Sequence, residues 1–377
     1  MEEKAQENQQ QQENLHTTPP KTARIPKYLA LVVILSVLIL GLLAGSYLFL
    51  NLSKSASSQN QGAANTASGQ TQTQATSLNS SPSAQINVLN PKALPLGDGK
   101  VSSSPKVGYV YSCIQNFKQG GAQHIGNWIH GTTWDSTQKI SVEGKVSWPS
   151  AQFLVLAEGS ERVITGNGLP VNATTGIFPI QPFDPAYQID RNPNSITAQN
   201  ISLMLPLNPT IAQNPSCVPM GMIGVAVNGV AIYNALDASG RDAVAHEAQD
   251  SCDGHPESTG EYHYHGPSSC IPQETQNNKL IGYALDGFGI YSMYDASGKE
   301  ITNADLDACH GTTSVIPWNG KMVKMYHYVL TREYPYTVGC FMGTPVRVNR
   351  PNAQNNSDLQ NSGQLPPSGQ RPPLQHP

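Results

Sequence analysis

The sequence lacks the short motifs that mark several common enzyme classes. Its 377 residues contain no Gly-x-Ser-x-Gly, no P-loop and no dinucleotide-binding glycine fingerprint. No nucleophile constellation is therefore indicated. Acid–base chemistry remains open, because the spacing of the carboxylates in the second half does not single out a pair. These carboxylates include Asp253, Glu257, Glu261, Asp286 and Asp307.

Charged residues are also scarce. Asp, Glu, Lys and Arg make up 13% of the chain, and the formal net charge is −4. Proteins that bind nucleic acid present a clustered basic patch. No basic block occurs here beyond the flank of an apolar segment near the N-terminus, so nucleic-acid binding is not expected.

That apolar segment is Tyr28–Leu50, a run of 23 residues without a charge. It is long enough to cross a bilayer as a helix. Lys21, Arg24 and Lys27 precede it, so the positive-inside rule predicts a cytoplasmic N-terminus and an extracellular or periplasmic remainder. The alternative is a cleaved signal peptide and a secreted protein, but signal peptides have shorter apolar regions, of about 7–15 residues.

The chain has no Cys-x-x-Cys motif, so neither a redox dithiol nor a cysteine zinc site is indicated. All six cysteines follow the apolar segment, and an even number in an oxidising compartment predicts disulfides. They are Cys113, Cys217, Cys252, Cys270, Cys309 and Cys340.

Low-complexity stretches set the domain boundaries. Residues 51–100 contain no aromatic side chain and are rich in Ser, Gln and Asn, which is typical of a flexible stalk. The predicted organisation is then given by five segments. They are a disordered tail (1–27), a transmembrane anchor (28–50), a stalk (51–105), a folded domain (106–347) and a disordered Pro/Gln-rich tail (348–377).

Patterns of helical period are scarce after the anchor, whereas short apolar runs between Gly, Pro, Asn and Asp are common. This predicts an all-β domain with mainly antiparallel sheets and long loops. Asn228-Gly229 and Asp286-Gly287 predict two-residue hairpins in which both turn residues have positive φ.

One segment occurs twice. Gly224–Gly240 (GVAVNGVAIYNALDASG) aligns without a gap with Gly282–Gly298 (GYALDGFGIYSMYDASG), and the similarity continues, giving repeats at 222–270 and 280–340. A pseudo-twofold pair that shares one core is expected. Because each copy ends in a cysteine, the duplication predicts disulfides Cys252–Cys270 and Cys309–Cys340, and Cys113–Cys217 remains by elimination.

The first copy contains Tyr262-His263-Tyr264-His265. In a strand, His263 and His265 share one face and the two tyrosines share the other. Two imidazoles at this spacing, with His255 eight residues before them, can bind a divalent transition metal such as zinc or copper. Further candidate ligands are His246, Asp253, His310 and His327. In one version, His310 and His327 complete a composite site between the copies.

The alternative is that these histidines pack as structural residues in a sheet. The chain is then a non-catalytic binding or adhesion module. In the metal-binding interpretation a metal-dependent enzyme is one version. Neither interpretation identifies a ligand or substrate.

Three segments of the sequence resemble one family: Cys252–His255, Gly260–His265 and Tyr334–Cys340. This is the YHYH domain family, which takes its name from the Tyr-His-Tyr-His tetrapeptide. The resemblance extends from about residue 107 to about residue 343. It implies a family and no particular activity.

Overall fold

The computed structural model describes residues 89–348. Within this range no helix is long and apolar enough to cross a membrane. The predicted anchor at Tyr28–Leu50 lies outside the described residues, as do the two predicted tails apart from residue 348, so the anchor remains a prediction.

Ten short strands precede the duplicated region. They are β1 (Leu94–Pro95), β2 (Val101–Ser102), β3 (Val110–Tyr111), β4 (Ile129–His130), β5 (Thr133–Trp134), β6 (Val146–Ser147), β7 (Phe153–Glu158), β8 (Glu161–Gly166), β9 (Thr174–Thr175) and β10 (Ile201–Pro206). They form antiparallel sheets in the orders β1-β5-β4 and β10-β8-β7, an antiparallel pair β6-β9 and a parallel pair β2-β3. A 3-10 helix spans Pro185–Gln188.

The duplicated region forms one large sheet. Its strands are β11 (Met222–Ala226), β12 (Ala231–Tyr233), β13 (Gly254–Pro256), β14 (Tyr262–Tyr264), β15 (Leu280–Ala284), β16 (Gly289–Tyr291), β17 (Gly311–Trp318) and β18 (Lys321–Val329). Helix α1 (Ala243–His246) and two 3-10 helices (Pro272–Thr275 and Asn303–Asp305) lie between them. Every residue of β11–β14 is buried, so both faces of this part of the sheet are covered.

The strand order shows how the two copies are arranged. It is β13-β14-β12-β11-β15-β16-β18-β17, which reads the same from either end once the copies are exchanged. The copies meet at β11 and β15, where Val225 pairs with Tyr283 and these two positions are equivalent in the repeat. The pseudo-twofold axis therefore passes through this pair. The predicted mainly antiparallel β fold is confirmed, and the parallel pairs β12·β14 and β16·β18 recur once in each copy.

The two predicted hairpins form, but their turns differ from the prediction. Gly229 N donates to Ala226 O at 2.9 Å, and Ala226 N donates to Val230 O at 2.8 Å. Only the glycine of the Asn228-Gly229 pair has a positive φ, of 87°. This is a three-residue loop with a glycine bulge, and Gly287 repeats it in the second copy. Asn228 is absent from the residues with positive φ, and its side-chain amide donates to the Tyr264 hydroxyl at 3.0 Å.

Equivalent hydrogen bonds stabilise the interior of each copy. The Tyr262 hydroxyl donates to Asp250 at 2.8 Å, as the Tyr326 hydroxyl donates to Asp307 at 3.2 Å. The structure also contains the three disulfides that the duplication predicts: Cys113–Cys217, Cys252–Cys270 and Cys309–Cys340.

The folded part begins before the predicted end of the stalk at residue 105. β1 and β2 belong to it, and Leu94 and Leu96 are 3% and 8% exposed. Leu94 faces Trp134 across the β1–β5 pair, so a few apolar residues are enough to fix this segment. The low complexity of residues 51–100 obscured that signal.

Candidate metal centre

Three histidines of the first copy converge at one end of the large sheet. His263 lies in β14, His265 follows that strand, and His255 in β13 is paired directly with His263. One nitrogen of each ring lies within 4.8 Å of one nitrogen of the other two. All three side chains are buried, at 4% exposure or less. The structure thus brings His255, His263 and His265 together as the sequence predicts.

The tyrosines alternate with these histidines as predicted. Tyr262 and Tyr264 are fully buried on the opposite face of β14, where they bond Asp250 and Asn228. This separation follows from the pleat, which sends successive side chains to opposite faces.

The closest contact in the cluster joins two nitrogens that are both acceptors. His263 Nε2 lies 3.0 Å from His265 Nε2. The Nδ1 atoms of these rings face the carbonyls of Glu261 and Asn234, and a carbonyl requires a donor, so both protons lie on Nδ1. Two unprotonated nitrogens then face each other at 3.0 Å. A cation or a shared proton between them relieves the repulsion.

A carboxylate completes the cluster, and the sequence analysis missed it. Glu247 Oε2 lies 3.3 Å from His255 Nε2 and 3.4 Å from His265 Nε2. Neither Glu247 Oε2 nor His255 Nε2 has a hydrogen-bond partner among the described residues. The available signal was an acidic residue directly after His246, in the short stretch that follows the helix-capping Asp242.

The helix α1 positions this carboxylate. The Asp242 side chain accepts a hydrogen bond from Ala245 N at 3.3 Å, which caps the first turn. Glu247 follows the helix, and its own N–H donates to Ala243 O. The last turn therefore directs Glu247 into the cluster, whereas the preceding His246 binds Asp98 at 2.9 Å.

Burial controls the protonation of the cluster. It lowers the pKa of His255 and of His265 well below the ordinary value, and the neighbouring imidazoles add to the effect. Burial also raises the pKa of Glu247 well above its ordinary value, and nearby Asp237 and Asp190 act in the same direction. The imidazoles of His255 and His265 are thus held neutral, which is the form that binds a metal.

The spacing suits a small metal ion. Metal–nitrogen bonds of about 2.0–2.1 Å in a tetrahedron place neighbouring ligand atoms about 3.3 Å apart. The two contacts from Glu247 to His255 and His265, at 3.3 and 3.4 Å, match this edge. The carbonyl contacts of His263 and His265 use Nδ1, so their Nε2 atoms remain directed at the centre. His255 is held more loosely, with Nδ1 3.4 Å from the amide of Asn192.

The cluster opens into a cleft of about 710 Å³. Besides Glu247, its lining includes the carboxylates of Asp190, Asp237 and Glu257, and none of the described residues that line it is Lys or Arg. Arg241 is nearby but is paired with Asp237 at 2.7 Å. A cation can therefore reach the histidines without passing a positively charged side chain of the cleft lining.

The other predicted ligands do not join the cluster. His246 binds Asp98, and Asp253 accepts a hydrogen bond from Ser269 N at 3.1 Å. His310 bonds Thr331 at 3.0 Å, and His327 belongs to β18. Five strand spacings of about 4.8 Å separate β14 from β18, or roughly 24 Å. The predicted composite site between the copies is therefore wrong, because the copies meet at β11 and β15 while these histidines lie toward opposite ends of the sheet.

Residues 202–304 match the family model described as YHYH protein. The match includes the three clustered histidines and Glu247, and it ends before β17 and β18. No curated protein and no solved structure matches the chain. The family-model match at residues 202–304 agrees with the resemblance that the sequence shows to the YHYH domain family.

Proposed function

We propose that the domain binds one divalent transition-metal ion through His255, His263 and His265, with Glu247 as the fourth ligand. The observation that carries this proposal is the contact between the Nε2 atoms of His263 and His265 at 3.0 Å, where both rings hold their protons on Nδ1. A cation between the two lone pairs would relieve their repulsion. Glu247 supplies the negative charge that burial of that cation requires.

Zinc suits the site better than copper. Three imidazoles and one carboxylate with tetrahedral spacing are an ordinary zinc ligand set, whereas Cu(II) favours tetragonal geometry. Glu247 either remains bound to the metal or is displaced from it by a molecule that enters through the cleft. The second case makes the protein a metal-dependent enzyme, because the metal then holds an open position.

The test compares the two copies of the repeat. The purified full chain is expected to hold one zinc ion, measured by elemental analysis after dialysis. The double variant His263→Ala/His265→Ala should lose the metal and keep its far-ultraviolet dichroism. His327→Ala, the equivalent change in the second copy, should keep it. A wild-type protein that is folded and binds neither zinc nor copper would instead support a non-catalytic binding module with structural histidines.

We also propose that the domain lies outside the membrane, held by Tyr28–Leu50. The three disulfides support this, since disulfides persist in oxidising compartments. Protease added to intact cells should then remove the domain and leave the residues before Lys27 protected. Protection of the domain would contradict the proposed topology.

A further inference from the structure

Tyr233 packs against two of the clustered histidines. Its ring stacks on that of His263, with centroids 3.8 Å apart and an interplanar angle of 19°. It also meets the edge of His265 at 5.9 Å. This contact arises because β12 runs parallel beside β14, with Ala231 opposite His263. Tyr233 thus restricts the rotation of the His263 and His265 rings.

Glu261 connects Tyr233 to the backbone that holds His263. The Tyr233 hydroxyl donates a hydrogen bond to Glu261 Oε2. The carbonyl of the same Glu261 accepts from His263 Nδ1 at 3.0 Å. Glu261 is 4% exposed, so this bond is shielded from water and holds the phenol firmly. Glu261 therefore positions the His263 ring in two ways. Its carbonyl binds the Nδ1 atom, and its carboxylate holds the tyrosine that stacks on the ring.

The second copy shows which part of this arrangement belongs to the site. His327 donates to the carbonyl of Met325 at 3.2 Å, so the backbone contact is present in both copies. Met325 stands where Glu261 stands, and it offers no carboxylate. The Tyr291 hydroxyl donates to Pro317 O instead, and its ring meets His327 at 71° rather than in a stack. The side-chain link is found in the copy that has the three histidines.

We propose that Tyr233 and Glu261 are positioning residues that hold the His263 ring with Nε2 directed at the metal. This inference rests on the proposed metal site and assigns a role to two residues that are not ligands. Residues that orient a metal ligand through a hydrogen bond typically change the affinity by about 10–100-fold when they are removed. Tyr233 and Glu261 are expected to act in this range.

The experiment measures zinc affinity by competition with a chelator, and the visible spectrum of the cobalt-substituted full chain. Tyr233→Phe keeps the ring and removes the hydroxyl. Glu261→Met introduces the residue that the second copy has at the equivalent position, Met325. Both should weaken zinc binding about 10–100-fold and shift the cobalt absorption bands. Glu261→Gln retains an acceptor oxygen and should keep most of the affinity. Tyr291→Phe is the matched control and should change neither property.

Three outcomes distinguish the possibilities. Weaker binding in Tyr233→Phe with an unchanged thermal midpoint of the metal-free protein would support the positioning role. Unchanged affinity and spectra in Tyr233→Phe, with zinc still bound, would overturn that role and leave the metal site standing. A wild-type chain that takes up no zinc or cobalt would overturn both. If Glu261→Met fails to fold, Tyr233→Phe decides alone.

Discussion

In the first copy of the repeat, the β14 segment carries two histidines and β13 presents a third, whereas the equivalent positions of the second copy hold His327, Val329 and Thr312. The strand pairing around them is the same. What the copies share, such as the Tyr262–Asp250 and Tyr326–Asp307 hydrogen bonds, serves the scaffold. What only the first copy has, namely the extra imidazoles, Glu247 and the Tyr233–Glu261 link, is therefore the best guide to the site.

The largest expected effect concerns Glu247, whose position at the repeat offset of 58 residues holds Asp305, a carboxylate that pairs with Lys299 instead of histidines. Glu247→Gln keeps the size of the side chain and removes the charge that a buried metal requires. Zinc affinity should fall by more than the roughly 100-fold upper range of residues that only orient ligands. Isothermal titration of the chelator-treated full chain measures this. Glu274→Gln, another buried carboxylate outside the cluster, is the control, and equal losses in both variants would argue against a ligand role.

Removal of one disulfide from each copy should separate stability from metal binding. In the chain-entropy model, replacing Cys252 and Cys270 by serine costs about 3 kcal/mol of unfolding free energy, and replacing Cys309 and Cys340 costs slightly more because its loop is longer. Denaturant unfolding measures both. Only the first change should also weaken zinc binding, because Cys252 lies three residues before His255. Equal affinity in the two disulfide variants would contradict this coupling.

One buried carboxylate, Glu274, should make the stability of the domain depend on pH. Burial raises the pKa of Glu274, just after the first copy, to about 8, while Ser268 N lowers it in part. The folded state then retains a proton that the unfolded state releases above about pH 4.5. The contribution of Glu274 is fully present below that pH and is lost as the pH rises through about 8.

Glu274→Gln should remove this part of the pH dependence. Between pH 5 and 8 the unfolding free energy of the metal-free wild type should fall faster than that of the variant, by up to about 1.4 kcal/mol per pH unit. Urea unfolding at several pH values measures the difference. Parallel curves for the two proteins would show that the Glu274 side chain ionises in the folded state as it does in water.

The duplication explains how much of the structure could be predicted. Alignment of the copies predicted the Cys252–Cys270 and Cys309–Cys340 disulfides. The Asn-Gly and Asp-Gly pairs predicted the two hairpins, though not their turn type, and strand alternation with a nearby third histidine predicted that His255, His263 and His265 converge. Glu247 could not be predicted, since whether Glu247 or His246 faces the cluster depends on the end of a four-residue helix. The composite site failed for another reason. Sequence similarity shows that two copies share a core, but it does not show which edges of them meet.

The smallest expected effect compares two equivalent tyrosines on the face opposite the histidines. The Tyr328 hydroxyl donates to Asp286 at 2.6 Å and accepts from Met342 N at 2.7 Å, whereas the Tyr264 hydroxyl meets the neutral amide of Asn228 at 3.0 Å. Tyr328→Phe should therefore cost about 2 kcal/mol and Tyr264→Phe about 1 kcal/mol, since bonds to carboxylates are stronger.

Denaturant unfolding of both phenylalanine variants measures this difference, and zinc titration supplies the second readout. Tyr264 alternates with His263 and His265 but points to the other face of the strand, so Tyr264→Phe should leave zinc affinity unchanged. A larger loss of stability in Tyr264→Phe than in Tyr328→Phe would reverse the ranking of the two copies. A loss of zinc affinity in Tyr264→Phe would show that the two faces of the strand are coupled, and that the scaffold shared by both copies also shapes the site that belongs to one.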